Sequence, residues 1–243
     1  ATTERLVLAQ EAVDEKENEC AVIPNILDRL DLSGAIVTID AIAGNPAIAR
    51  AIDARGGHSL AVKASQPTLS AEIGRHFDDP ATRVETFVDL DKGHGRIETR
   101  RYCVGHAVDW LCGDRRYPDE PRFPALRSLA MVESRVAATG TTTTTRRLYI
   151  GAAPLPPGLL AEAVRGHWGI ENGLHWVLDL VFGEDQSRLR TGHGAHNMAV
   201  VRHLAIDAVR LGKGRHSIKT TRKLAGCDPE VRARLLSPEP RPR

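Results

Sequence analysis

The 243-residue chain has few cysteines. The four present, Cys20, Cys103, Cys112 and Cys227, are scattered and form no CxxC pair. That argues against a disulfide framework and a zinc-ribbon pattern and reads as free thiols in a reducing cytosol. Long apolar runs are also lacking: none approaches the ~20 residues needed to span a bilayer. The chain opens with neither a methionine nor a signal-peptide pattern, and its start is read as a cut through a longer protein. Excess charge of one sign is missing too. The net charge is only +2, so bulk charge identifies no partner. What is present is globular: 42% apolar and 26% charged residues, enough to bury a sizeable core. Arginines cluster late, from Arg188 and Arg190 through Arg234.

The first third alternates strand-like and helix-like stretches. Leu6 to Val13 reads as a strand, and Val22 to Leu30 carries helical apolar spacing. Ala35 to Asp40, AIVTID, is a continuous apolar run that suits a buried parallel strand. A helix over 46–54, a strand over 59–65 and a helix over 67–77 follow. The fold class is therefore α/β with parallel strands. Reactive groups in such sheets collect at the carboxyl ends of strands, where Asp40 sits. Read alone, Asp40 is equally a helix cap. Lys63 is either a snorkelling edge lysine or a phosphate contact.

From about 79 to 157 the texture becomes antiparallel strand: RVETFVDL, RIETRRYCV, RSLAMVESRV and RRLYIGA. The run Thr141–Thr145 reads as a turn. Alternation puts Arg96, Glu98 and Arg100 on one side of their strand. A helical pattern then runs from Gly158 through Phe182. Within it His167, Glu171, His175 and Asp179 share one face at i, i+4 spacing, beside a stripe of Ile170, Leu174, Val177, Leu178 and Val181. A carboxylate flanked by Trp168 and Trp176 and set beside such a stripe reads as placed. A zinc site on His167, Glu171 and His175 is disfavoured, since eight residues of helix span about 12 Å. A further helix is predicted over 197–211, with its stripe at Val200, Val201, Leu204, Ala205, Ala208 and Val209. The basic tail from Gly212 is expected to fray.

Three segments, GAIVTIDAIAGNPAIARAIDARGGHSLAVKASQPTL, HGRIETRRY and HWGIENGLHWVLDLVFGEDQSRLRTGHGAHNMAVVRHLAI, resemble in order and spacing the ISAs-type family of bacterial insertion-sequence transposases. The resemblance runs from about Leu6 to Leu211 and implies a protein of the bacterial cytoplasm. It implies membership of the DDE superfamily, with a ribonuclease-H-like mixed sheet, flanking helices and a β-rich insertion before the Glu-bearing helix. It implies that Asp40 and Glu171 are the second and third acidic residues, both catalytic and both ligands to two Mg²⁺ ions, with Mn²⁺ able to substitute. Such ions serve in-line displacement at phosphorus, first by water and then by a 3′-hydroxyl. The domains expected are 1–79 and 158–212 for the core, 80–157 for the insertion and 213–243 for the tail. The family's first acidic residue and first core strand precede Ala1, so the fragment alone is expected not to cut DNA. The alternatives are a non-catalytic DNA-binding remnant and a ribonuclease-H-like nuclease. The expected partners are double-stranded DNA, as terminal inverted repeats and target, and a second copy in a homodimer. DNA contacts are expected from Lys63, Arg96, Arg100, Arg165, His167, Trp168, Asn172, His175, Arg188 and Arg190.

Overall fold

The computed structural model describes residues 5–11, 13, 19–39, 45–63, 67–93, 95–114, 116, 117, 120, 122–138 and 140–237, apart from the side chains of 61–63. Contacts divide the chain into two compact units: Val13–His167, and Ala1–Ala12 with Trp168–Arg243.

The first unit is built on one mixed sheet. Helix α1 (Glu19–Leu27) starts earlier than its apolar spacing suggested and holds Pro24 inside it. Strand β1 (Ile36–Ile39) leads to α2 (Pro46–Asp53), whose cap Asn45 accepts a hydrogen bond from the Ala47 N–H at 2.8 Å. Asn45 followed by Pro46 is a sequence that starts a helix on its own chemistry. Strand β2 (His58–Lys63) lies parallel to β1, so β1–α2–β2 is a crossover unit. Gly57 allows the close passage between α2 and β2. A Cβ there would lie 3.0 Å from Ile52 Cγ2 and 3.2 Å from the Leu32 carbonyl oxygen. Helix α3 (Pro67–Asp78) follows.

Strands β3 (Glu85–Gly93), β4 (Arg96–Gly105), β5 (Ser128–Ala138) and β6 (Thr141–Gly151) are antiparallel neighbours. They continue the sheet of β1 and β2 through the antiparallel pair β2–β6, in the order β1-β2-β6-β5-β4-β3. The threonine run is not a turn. Thr141–Thr145 pairs with β5 from Ala138 to Ser134, as β-branched side chains favour, and Gly140 at φ +81° serves the reversal.

Alternating strand residues feed two apolar layers. Tyr102, Val104, Ala130, Val132 and Tyr149 pack with Leu160, Ala161 and Val164 of α4 (Pro157–Ile170). Leu129 and Ile150 pack instead with Ala49 of α2, Leu69 and Ile73 of α3, and the 108–126 loop. The sheet is thus covered on both faces near the parallel strands, while most of β3 and the first seven residues of β6 stay exposed. Each fully buried leucine or isoleucine in these layers contributes roughly 1.5–3 kcal/mol.

The 158–182 helix, which runs across the boundary between the units at His167 and Trp168, is not continuous. Helix α4 passes into a π-helical turn, Glu171–His175, and then α5 (Trp176–Phe182). Helix α6 (Gly194–Gly212) follows in the second unit. Its buried residues are Ile206 and Val209, while Val201 and Leu204 of the expected stripe are 55% and 65% exposed. The helix is turned this way because its half-buried polar residues bind other parts of the unit. Asp207 accepts the Val7 N–H at 3.2 and 3.3 Å, and His203 Nδ1 meets Gln10 Oε1 at 2.7 Å. Those bonds also correct the reading of the first segment. Residues 6–11 form no strand, and the Val7 N–H is taken by a side chain rather than a ladder. The tail does not fray over 218–236. It forms α7 (Ile218–Cys227) and α8 (Pro229–Leu236), capped by Ser217 and Asp228, with Leu235 buried.

Candidate active-site region and basic surface

The residues around the two candidate acids divide between the units. Asp40 lies outside the described residues, one position beyond β1. In the Val13–His167 unit, His167 Nδ1 is 3.1 Å from Thr38 Oγ1. That contact holds the end of α4 to the strand that leads into Asp40. An i, i+4 pattern could place His167 on a helix face but could not name Thr38 as its partner.

Glu171 opens the π-helical turn. The Trp176 N–H bonds to the Glu171 carbonyl, one residue beyond α-helical reach. The turn holds one residue more than the α-helical count. His175 and Asp179 are therefore not on the simple i, i+4 continuation of His167 and Glu171, and the apolar stripe is broken as well. Val177, Leu178 and Val181 are buried, but Ile170 is 37% exposed. Glu171, Asn172 and His175 are all exposed, and Trp168 and Trp176 expose broad aromatic surface on either side of them. Single-turn π segments frequently mark functional positions, and no spacing rule in the sequence announces this one.

The basic residues fall into two groups. Arg100 is a half-buried ion-pair centre: its Nη2 is 2.6 Å from Glu98, and its Nη1 is 3.8 Å from Asp89 and 3.9 Å from Asp91. Arg165 of α4 donates to Asp89 as well, and Ser134 Oγ donates to Glu98 at 2.7 Å. These guanidiniums face carboxylates across the β3–β4 pair. Arg96 is exposed and forms no ion pair among the described residues. Arg188 and Arg190 lie in the exposed loop after α5. Arg190 donates to the Ser187 and Leu189 carbonyls at 3.1 and 3.3 Å, and neither arginine meets a carboxylate among the described residues. Lys63 closes β2, and its side chain is outside the described atoms. Sequence alternation correctly grouped Glu98 with Arg100, but it could not show that β3 brings Asp89 and Asp91 to the same place.

Among the described residues no group of three or more His, Cys, Asp or Glu side chains converges as a metal cluster. No helix among them is long and apolar enough to cross a membrane.

These features define a mixed α/β protein with an exposed carboxylate on a π turn and a separate basic loop. A family model described as Transposase DDE domain matches residues 1–207, and the chain belongs to that family. It is 34% identical over 220 residues to the "H repeat-associated putative transposase YhhI" of Escherichia coli (strain K12), covering 85% of this chain and 56% of that protein. It is 30% identical over 210 residues to the "Putative transposase YncI" of Escherichia coli O157:H7, covering 84% and 53%. It is 38% identical over 156 residues to an "Uncharacterized protein in dhlA 3'region" of Xanthobacter autotrophicus, covering 63% and 51%. The chain spans about half the length of the curated relatives it matches.

Proposed function

We propose that this chain carries Asp40 and Glu171 into the phosphoryl-transfer centre of a bacterial insertion-sequence transposase, acting on DNA in the cytoplasm. The observation that carries the reading is the family match, whose span of 1–207 includes both acids. The parallel β1–α2–β2 unit, with Asp40 just past β1, supports a ribonuclease-H-like core. On this reading 1–79 and 158–212 form the core, 80–157 is its β-rich insertion and 213–243 is an appended basic segment.

Glu171 fits a divalent ion. It is exposed, makes no ion pair among the described residues, and Mg²⁺ asks for only one or two protein carboxylates. Asp40 and Glu171 would hold the ions, Mg²⁺ or Mn²⁺. When bound, such a pair activates the attacking oxygen and stabilises the leaving one. His167 steadies α4 against Thr38 of β1, within the Val13–His167 unit. Arg96, Arg188 and Arg190 offer guanidiniums to phosphates, and Lys63 is a further candidate. Trp168 and Trp176 present ring surface on which an unpaired base can stack, with Asn172 and His175 beside them. Arg100 and Arg165 are assigned to the carboxylate network instead. Two copies acting across paired DNA ends are part of the proposal.

The test uses a transposase that includes this chain and spans the full length of the relatives, incubated with duplexes carrying the terminal repeats of its element, in Mg²⁺ or Mn²⁺, with wild type and Glu171→Gln in parallel. Joined products lost in Glu171→Gln support the reading. Cleavage without joining would favour a nuclease, and metal-independent binding without either reaction would favour a DNA-binding role.

A further inference from the structure

The π turn that carries Glu171 poses a local problem. Widening a helix by one residue disturbs the i→i−4 ladder and loosens the carbonyls within the turn. One of them, the Gly173 carbonyl, accepts a hydrogen bond from Arg210 Nη2 of α6. The Arg210 side chain is only 9% exposed, and its Nη1 donates to the Arg5 carbonyl. Its charge is faced by Asp207 at 3.9 Å, whose carboxylate also takes the Val7 N–H. A buried guanidinium forked between two backbone carbonyls is an expensive arrangement unless both bonds are kept. A lysine, a single point charge, does not reproduce that planar fork.

We propose that Arg210 is a positioning residue for the catalytic carboxylate: it holds the π turn open through Gly173 and so sets where Glu171 points. This rests on the reading of Glu171 as a metal-binding acid. The α6 residue lies outside the block of sequence around Glu171 and touches no substrate. Its effect is transmitted through the backbone of residues 171–175. The same side chain ties the stretch around Arg5 to that turn.

The experiment uses the full chain as wild type, Arg210→Met, Arg210→Lys and Glu171→Gln. Amide hydrogen exchange is read by mass spectrometry on peptides covering 168–180, with β4 and β5 as internal controls. Mn²⁺ binding is titrated by electron paramagnetic resonance. A hydrogen bond from a charged donor shifts an equilibrium by roughly tenfold or more. Arg210→Met should therefore speed exchange at 172–177 by about that factor while β4 and β5 stay unchanged. It should weaken Mn²⁺ binding as far as Glu171→Gln does, and Arg210→Lys should fall between. Unchanged exchange at 172–177 overturns the proposal. So does faster exchange with wild-type Mn²⁺ affinity when Glu171→Gln lowers that affinity. If Glu171→Gln itself leaves Mn²⁺ binding intact, the metal reading of Glu171 fails, and the positioning role falls with it. Should Arg210→Met not fold, Arg210→Lys decides alone: wild-type behaviour in both measurements overturns the proposal.

Discussion

Replacing Arg188 and Arg190 together by alanine should change how DNA binding responds to salt, not merely how tight it is. Both guanidiniums stand in the exposed loop after α5, without a carboxylate partner among the described residues. Each phosphate neutralised on B-DNA contributes about −0.9 to the slope of log K against log salt. Two contacts therefore contribute about −1.8. Between 50 and 200 mM salt, a fourfold change, that amounts to a factor of roughly twelve in affinity. The double variant should lose that much of the wild-type salt sensitivity. Fluorescence anisotropy with a short labelled duplex across that range measures it directly. The matched control is Arg100→Gln with Arg165→Gln. Those side chains already face Asp89, Asp91 and Glu98, so their removal should leave the slope unchanged and lower stability instead. A double Arg188/Arg190 variant with the wild-type slope, or a control pair that flattens it, would refute the division of the arginines.

Tyr102 is fully buried, and its hydroxyl has no hydrogen-bond partner among the described residues. Tyr102→Phe should stabilise β4 by about 1 kcal/mol, the desolvation cost of an unmet hydroxyl less the small void it leaves, as read by native-state hydrogen exchange in β4 and β5. Glu120, held by Arg116 and Arg122, has its carboxyl lowered to about 2, chiefly by the hydrogen bonds from Arg116. A lowered folded pKa stabilises above the unfolded value of about 4.3 and is lost as pH falls toward 2. The melting-temperature gap between wild type and Glu120→Gln should therefore close over that interval in pH-dependent thermal melts. Gly57→Ala should destabilise the sheet-bearing unit by about 1–3 kcal/mol, because the new methyl meets Ile52 and the Leu32 backbone; denaturant titration with Trp110 fluorescence checks it.

Much of the sheet-bearing unit was legible because its signals are local. AIVTI and HSLAVK are apolar runs of strand length, Asn45-Pro46 starts a helix by its own capping chemistry, and strand alternation over Glu98 and Arg100 survives in the fold. The errors share a physical origin in contacts between distant segments. Thr141–Thr145 carries strand propensity, but a run of one residue type hides its register, which β5 supplies. Helix α6 buries Val209 of its expected stripe but leaves Val201 and Leu204 exposed, while Arg202, Asp207 and Arg210 are drawn into polar contacts that periodicity does not count. The basic composition of the tail points to fraying, but Ser217 and Asp228 cap two helices and Leu235 packs close against Gly212. At the candidate site, the flanking aromatics and apolar stripe single out Glu171 in the sequence, but nothing there marks the π turn beneath it. An extra residue in a helix leaves no periodic mark until the hydrogen bonds are known.

The bonds from Val7 to Asp207 and from Gln10 to His203 join residues about 200 positions apart. Closing a loop of that length costs on the order of 5 kcal/mol in chain entropy, against about 3 for one of thirty residues. During synthesis, the early stretch must stay unattached while the whole sheet-bearing unit emerges and folds. Helix α6 arrives last among these partners, and only then does the turn under Glu171 acquire its buried guanidinium. The order of translation therefore places the sheet first and the carboxylate-bearing turn late, so a chain halted before Arg210 would carry Glu171 without the support that aims it.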